Sequence, residues 1–140
     1  MGNQPHNATD WGRFTAPLTR ARDYFKIYEQ MADRPLTDLE FMLLLATLRL
    51  GDEAYGVQIA REVEQTGGRT VLLGAVYTTL DRLEAAGHVR SSVGDPTPER
   101  GGRAKRYFKV TPAGLRAVKE TQAAFVSLWR GVPELKGGRT

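Results

Sequence analysis

The chain of 140 residues contains no cysteine, which rules out both a disulfide framework and a thiolate metal site. Histidine is scarce as well: His6 and His88 lie far apart in sequence and form no neighbouring ligand pair, so no metal is expected. No apolar run approaches the ~20 residues that a bilayer-crossing helix needs. The polar stretch from Met1 to Asp10 lacks signal-peptide character, so the chain is expected in the cytoplasm and off the membrane. Catalytic patterns are missing too. Ser91, Ser92 and Ser127 have no glycine elbow around them, and no Gly-rich loop follows a strand to open a helix. Gly67-Gly68 and Gly101-Gly102 fit turns, and neither an enzyme nor a cofactor is expected. The length suits one domain with a core of its own.

What is present concentrates in one stretch. Leu73, Val76, Leu80 and Leu83 recur at helical spacing and predict an apolar stripe, with Thr78, Thr79 and Arg82 on other faces. Gly87 ends that helix in the left-handed conformation. Val89 to Val93 then alternates like a strand, Gly94 to Gly102 supplies a polar loop, and Arg103 to Val110 reads as the returning strand. From Arg90 to Lys109 there are six basic and two acidic residues, a balance equal to the +4 of the whole chain. The excess positive charge is therefore local to one hairpin, which turns a weak hint of nucleic-acid binding into a stronger one. The plainer alternative is a solvated edge whose charges discourage strand-to-strand aggregation.

Residues 1–16 are rich in Gly, Asn, Pro and Thr, and are expected to form a flexible tail in which Trp11 and Phe14 are the exceptions. Residues 17–34 carry Leu18, Ala21, Phe25, Tyr28 and Met31 at helical spacing, an amphipathic helix that Arg34-Pro35 closes. Thr37 and Glu40 stand at capping-box spacing, with Leu36 and Phe41 placed for a hydrophobic staple, and predict a helix to about Leu50. Ala54 to Gln65 reads as the next helix, and Arg69-Thr70-Val71 is long enough for a minimal third strand. Thr111-Pro112 places a capping hydroxyl before a first-turn proline and opens a helix to about Arg130, with residues 132–140 as a tail. The expected fold is α+β and mainly α: a winged helix-turn-helix domain over residues 36–111, with an added N-terminal helix and a C-terminal dimerisation helix at 112–131.

In this order and register, Tyr55-Gly56-Val57-Gln58-Ile59, the run Gly74 to Gly87, Gly101-Gly102-Arg103-Ala104-Lys105-Arg106-Tyr107-Phe108 and Thr111-Pro112-Ala113-Gly114 resemble the PadR family of bacterial transcriptional regulators. The resemblance covers about Leu36 to Phe125. It implies a winged-helix domain that dimerises through its C-terminal helix, binds a palindromic operator in double-stranded DNA and often represses transcription. Thr78 departs from the proline that commonly follows the family's tyrosine, and the single C-terminal helix places the chain with the short subgroup.

A helix fits the major groove, and short side chains allow close approach, so Gly74, Ala75, Thr78 and Thr79 are expected on the groove side. Arg82 is expected on phosphate. Arg103, Lys105 and Arg106 of the wing are expected on phosphates or an adjacent minor groove. Tyr77 has two readings, a ring packed beneath the helix or, as the family implies, a hydroxyl on the DNA backbone; Tyr55 joins the DNA-binding set through its motif. Leu115, Val118, Phe125, Leu128 and Trp129, with Phe25, Ile27, Tyr28 and Met31, offer more apolar surface than such a core needs, and are expected at a homodimer interface. Packing of both helices onto their own domain is the alternative. Trp129 has a further reading as a wall of a small-molecule site, since some regulators of this family respond to flat aromatic effectors. The alternative from another functional class is a winged-helix module that holds a protein partner without sequence-specific DNA binding.

Overall fold

A computed structural model describes residues 34–94 and 104–136. The expectations placed on the N-terminal tail, on the helix carrying Phe25, Ile27, Tyr28 and Met31, and on Arg103 lie outside the described residues.

The described elements run α1 (Asp38–Leu50), a 3-10 turn (Gly51–Glu53), α2 (Gly56–Gly67), α3 (Leu73–Ala85), β1 (Val89–Val93), β2 (Arg106–Val110), α4 (Pro112–Trp129) and a second 3-10 turn (Pro133–Leu135). Local chemistry sets their ends. Thr37 accepts from the Glu40 amide at 3.1 Å while the Glu40 carboxylate accepts from the Thr37 amide at 2.9 Å, closing the capping box. At the end of α3, Gly87 takes φ 83°, which lets the His88 amide turn back to the Leu83 carbonyl at 2.8 Å. Thr111 caps α4, accepting from the Gly114 amide at 3.0 Å, and its own hydroxyl donates to the Gly87 carbonyl at 2.6 Å. The start of α4 is thereby tied to the end of α3.

The core gathers Leu43, Leu44 and Ala46 of α1, Ile59 and Val63 of α2, and Val76, Leu80 and Leu83 of α3. Val89, Phe108 and Val118 close it from the hairpin and from α4. Burial of such side chains is worth ~1.5–3 kcal/mol each before conformational entropy is subtracted, so helices too short to stand alone are held by this shared interior. Arg49 donates to Glu62 at 2.6 Å and Arg69 to Asp38 at 2.8 Å, joining α1 to α2 and to the segment after it across the surface.

The sheet among the described residues is the antiparallel pair β1–β2, in register Val89↔Val110, Arg90↔Lys109, Ser91↔Phe108, Ser92↔Tyr107 and Val93↔Arg106. The third strand expected at Arg69-Thr70-Val71 is not formed. Its place beside the hairpin is taken by Tyr55, which bridges to Tyr107, and by Ala54, whose carbonyl accepts from the Phe108 amide at 2.8 Å. The segment before α2 therefore supplies the edge, and the returning strand starts at Arg106 rather than Arg103. The fold is otherwise the winged helix expected: mainly helical, with one small antiparallel sheet.

Candidate functional site

α3 and the hairpin together present the surface of interest. Val76, Thr79, Leu80 and Leu83 face the interior, and Gly74, Ala75, Thr78, Asp81 and Arg82 face out. Two sequence expectations change here. Thr79 was placed on the groove side, but it is buried, because the inward arc of this helix is wider than a stripe of four apolar residues and takes Thr79 in between Val76 and Leu83. Leu73 was placed on the inward stripe, but it is 42% exposed, and Leu72 before it is 80% exposed. The first turn of α3 projects past the core that would cover it. Thr78 is outward as expected, and its hydroxyl donates to the Gly74 carbonyl at 2.9 Å.

Tyr77 packs against the domain's own core and is half-buried there. Its ring lies so close to Gly56 that a methyl group there would overlap the ring carbons and the phenol oxygen. The glycine of the Tyr55-Gly56 pair is thus the seat of the Tyr77 ring, and this contact locks α3 to the start of α2. Tyr55 is buried, edge-on to Tyr107 with ring centroids 5.6 Å apart, and the Lys105 ammonium sits 4.4 Å from its centroid. Tyr55, expected on DNA, therefore presents its ring to Lys105 and leaves little open surface of its own.

Strand parity divides the basic residues of the hairpin. Arg106 points inward to α3, where it donates to Glu84 at 2.7 Å and lies 3.0 Å from Asp81, with its guanidinium 4.8 Å from the centre of the Phe108 ring. Glu84 also accepts from the Ser91 hydroxyl at 2.7 Å and the Ser91 amide at 3.1 Å. The Ser91 hydroxyl, more than the nearby guanidinium, holds the Glu84 carboxyl below its ordinary pKa, against a smaller opposing effect of burial. Burial weakens the Arg106 charge, yet Asp81 and Glu84 outweigh it and raise its pKa. Arg106, expected on DNA, is therefore neutralised by two carboxylates and serves as the strut between wing and helix. Lys105, one residue before Arg106, and Lys109, three residues after it, are at the opposite parity and lie on the opposite face. Arg90 stands directly across from Lys109. These three cations make no ion pair among the described residues, and two like charges sit face to face, an arrangement that is unfavourable until an anion joins them. Arg90, which the sequence reading left unassigned, was open to discovery through that alternation.

The last helix is divided along its length. Gly114 and Val118 are buried; a methyl on Gly114 would strike the His88 carbonyl. Val118, expected at the dimer interface, is committed to the interior of its own chain. Phe125 at 56%, Leu128 at 74% and Trp129 at 61% are exposed, although Phe125 touches Phe41 edge-on at 6.2 Å. Phe125, Val126, Trp129 and Arg130 line a shallow hollow of about 360 Å³. Among the described residues there is no group of three potential metal ligands, and no helix is long and apolar enough to cross a membrane.

The chain matches the transcriptional regulator PadR-like family over residues 44–120. It is 37% identical over 91 residues to a transcriptional regulator of Mycobacterium tuberculosis, covering 64% of this chain and 76% of that protein. Among solved structures it is similar to a PadR family transcriptional regulator from Eggerthella lenta (26% identity, TM-score 0.52, covering 84% of this chain and 99% of that one). It is also similar to a PadR-like transcription factor from Bacteroides fragilis (25% identity, TM-score 0.53, covering 64% and 82%).

Proposed function

Because this chain belongs to the PadR-like family of transcriptional regulators, we propose that it acts as a repressor that binds a palindromic operator as a homodimer, with α3 in the major groove and the hairpin on the flanking backbone. The observation that carries this reading is the division of charge in the hairpin. Arg106 is neutralised against α3, while Arg90, Lys105 and Lys109 stand on the other face with no ion pair among the described residues. A strand that merely needed solubility would have no use for an internal strut holding its wing rigidly to the neighbouring helix. A DNA reader needs that rigidity, because backbone contacts set the register in which the helix meets base edges. Thr78 and Arg82 are the outward polar residues of α3 that Arg106 does not engage, and Arg82 lies one turn beyond Thr78, where a phosphate contact fits.

The homodimer is supported by Phe125, Leu128 and Trp129, three large apolar side chains exposed within five residues of one helix. One α3 reads too few base pairs to specify an operator, and a twofold pair reads two half-sites about one helical turn apart. The hollow beside Trp129 supports a second reading, in which a flat aromatic effector binds between protomers and changes their spacing. Footprinting on the DNA upstream of the protein's own gene tests the central proposal. A protected palindrome is the expected result; salt-insensitive binding without a footprint would favour a protein-holding module instead.

A further inference from the structure

The leading end of α3 is apolar where a base-reading surface would ordinarily be polar. Leu72 is 80% exposed and Leu73 is 42% exposed, at adjacent positions, and Ala75 continues the outward surface. Thr78 has given its hydroxyl proton to the Gly74 carbonyl, so it offers a methyl group and an accepting oxygen but no donor. Asp81 is held by Arg106. From Leu72 to Asp81, then, the exposed positions of α3 carry no free side-chain donor, and the next exposed one is Arg82. Adjacent exposed leucines are unfavourable in water and mark a contact surface rather than scattered surface residues.

The major groove displays one apolar feature, the C5-methyl of thymine. We propose that Leu72 and Leu73, with Ala75 and the Thr78 methyl, read thymine methyl groups, so that this chain selects its operator chiefly by apolar contact rather than by bidentate hydrogen bonds. The inference rests on the DNA-binding reading above. It commits to duplex DNA rather than a protein partner because the same helix continues into Arg82 and joins a hairpin whose outward cations suit a polyanion.

The test uses the full-length protein and the duplex it enriches from a random-sequence pool, bound in two forms: as selected, and with every thymine of the half-sites replaced by deoxyuridine, which removes the methyl and keeps the hydrogen-bonding edge. The enriched half-sites should contain thymine at the positions facing α3. Binding should weaken roughly fourfold for each contacted methyl removed, whereas deoxyuridine confined to the flanks should change nothing. Leu72→Ala should bind the thymine duplex more weakly than the parent does and should lose the part of the preference over the uracil duplex that its own contact supplies, about fourfold for one methyl. Equal binding of both duplexes by the parent overturns the methyl reading and leaves DNA binding standing. A Leu72→Ala chain that loses self-association while keeping the thymine preference assigns the leucines to protein contact and also overturns it. A pool that yields no enriched duplex overturns the DNA-binding reading and this inference together.

Discussion

Basic residues of one arm of the hairpin do opposite work. Arg106 faces α3, where two carboxylates and an aromatic ring hold it, while Lys105 and Lys109 face away with their charge uncommitted by any ion pair among the described residues. α3 repeats the division: Val76, Thr79, Leu80 and Leu83 are interior, and Thr78 and Arg82 stand outside. Chemical type therefore does not assign a role in this molecule. Arginine is a strut at 106 and a surface charge at 90; threonine is core at 79 and surface at 78. Inward positions should govern stability and outward ones affinity, and substitutions that separate these two readouts test the division.

The largest effect is expected at Leu80, which has no exposure. Leu80→Ala should destabilise the fold by ~2–5 kcal/mol in urea unfolding, through lost transfer energy plus a cavity. The affinity of the remaining folded molecules for DNA should be unaltered. Next comes Gly114→Ala, where the added methyl meets the His88 carbonyl, a backbone atom that cannot swing aside. A loss of ~1–3 kcal/mol is expected in thermal or chemical melts, as for other overpacked sites. A neutral outcome would mean that α4 is free to shift against the end of α3.

The strut should contribute less, because Glu84 and Arg106 are each about one-third exposed and water screens them. Arg106→Ala is expected to cost about 1 kcal/mol or less. Its stronger signature is in pH. The Glu84 carboxyl titrates below its ordinary value in the folded chain, so its contribution is complete above the unfolded value of ~4.3 and is lost as pH falls through the folded pKa. Glu84→Gln should therefore differ in melting temperature from the parent near neutrality, and the difference should shrink on acidification below about pH 4. A constant difference across that range would mean the carboxylate is not what Arg106 and Ser91 engage.

Much of this arrangement was legible in the sequence because its signals are local. Thr37 with Glu40, Gly87 at the end of α3, and Thr111 before Pro112 each announce a helix end through groups at most a few residues apart, and the structure forms all three. The features that were not legible depend on distant partners. Arg106 meets Glu84 across 22 residues of sequence, so its neutralisation could not be seen in a hairpin read by itself. The edge beside the hairpin comes from Ala54 and Tyr55, far from β2 in sequence, rather than from the three β-prone residues at 69–71. Thr79 sits within the arc that helical periodicity leaves undecided between face and flank, and packing drew it in. Leu72 and Leu73 look like core residues in composition, and only the geometry shows that both are left exposed.

The smallest effect on stability and the most direct test of function belong to the outward cations. Arg90→Ala and Lys109→Ala should each leave stability within ~0.5 kcal/mol of the parent's, and adding Lys105→Ala should cost only the further ~0.5–1 kcal/mol of its contact with the Tyr55 ring. Measured against the parent on one duplex, log affinity plotted against log salt concentration should become shallower by ~0.9 for each phosphate contact removed, and binding to specific and random DNA should weaken alike. A triple variant with the parent's salt slope and affinity would contradict the assignment of this face to DNA.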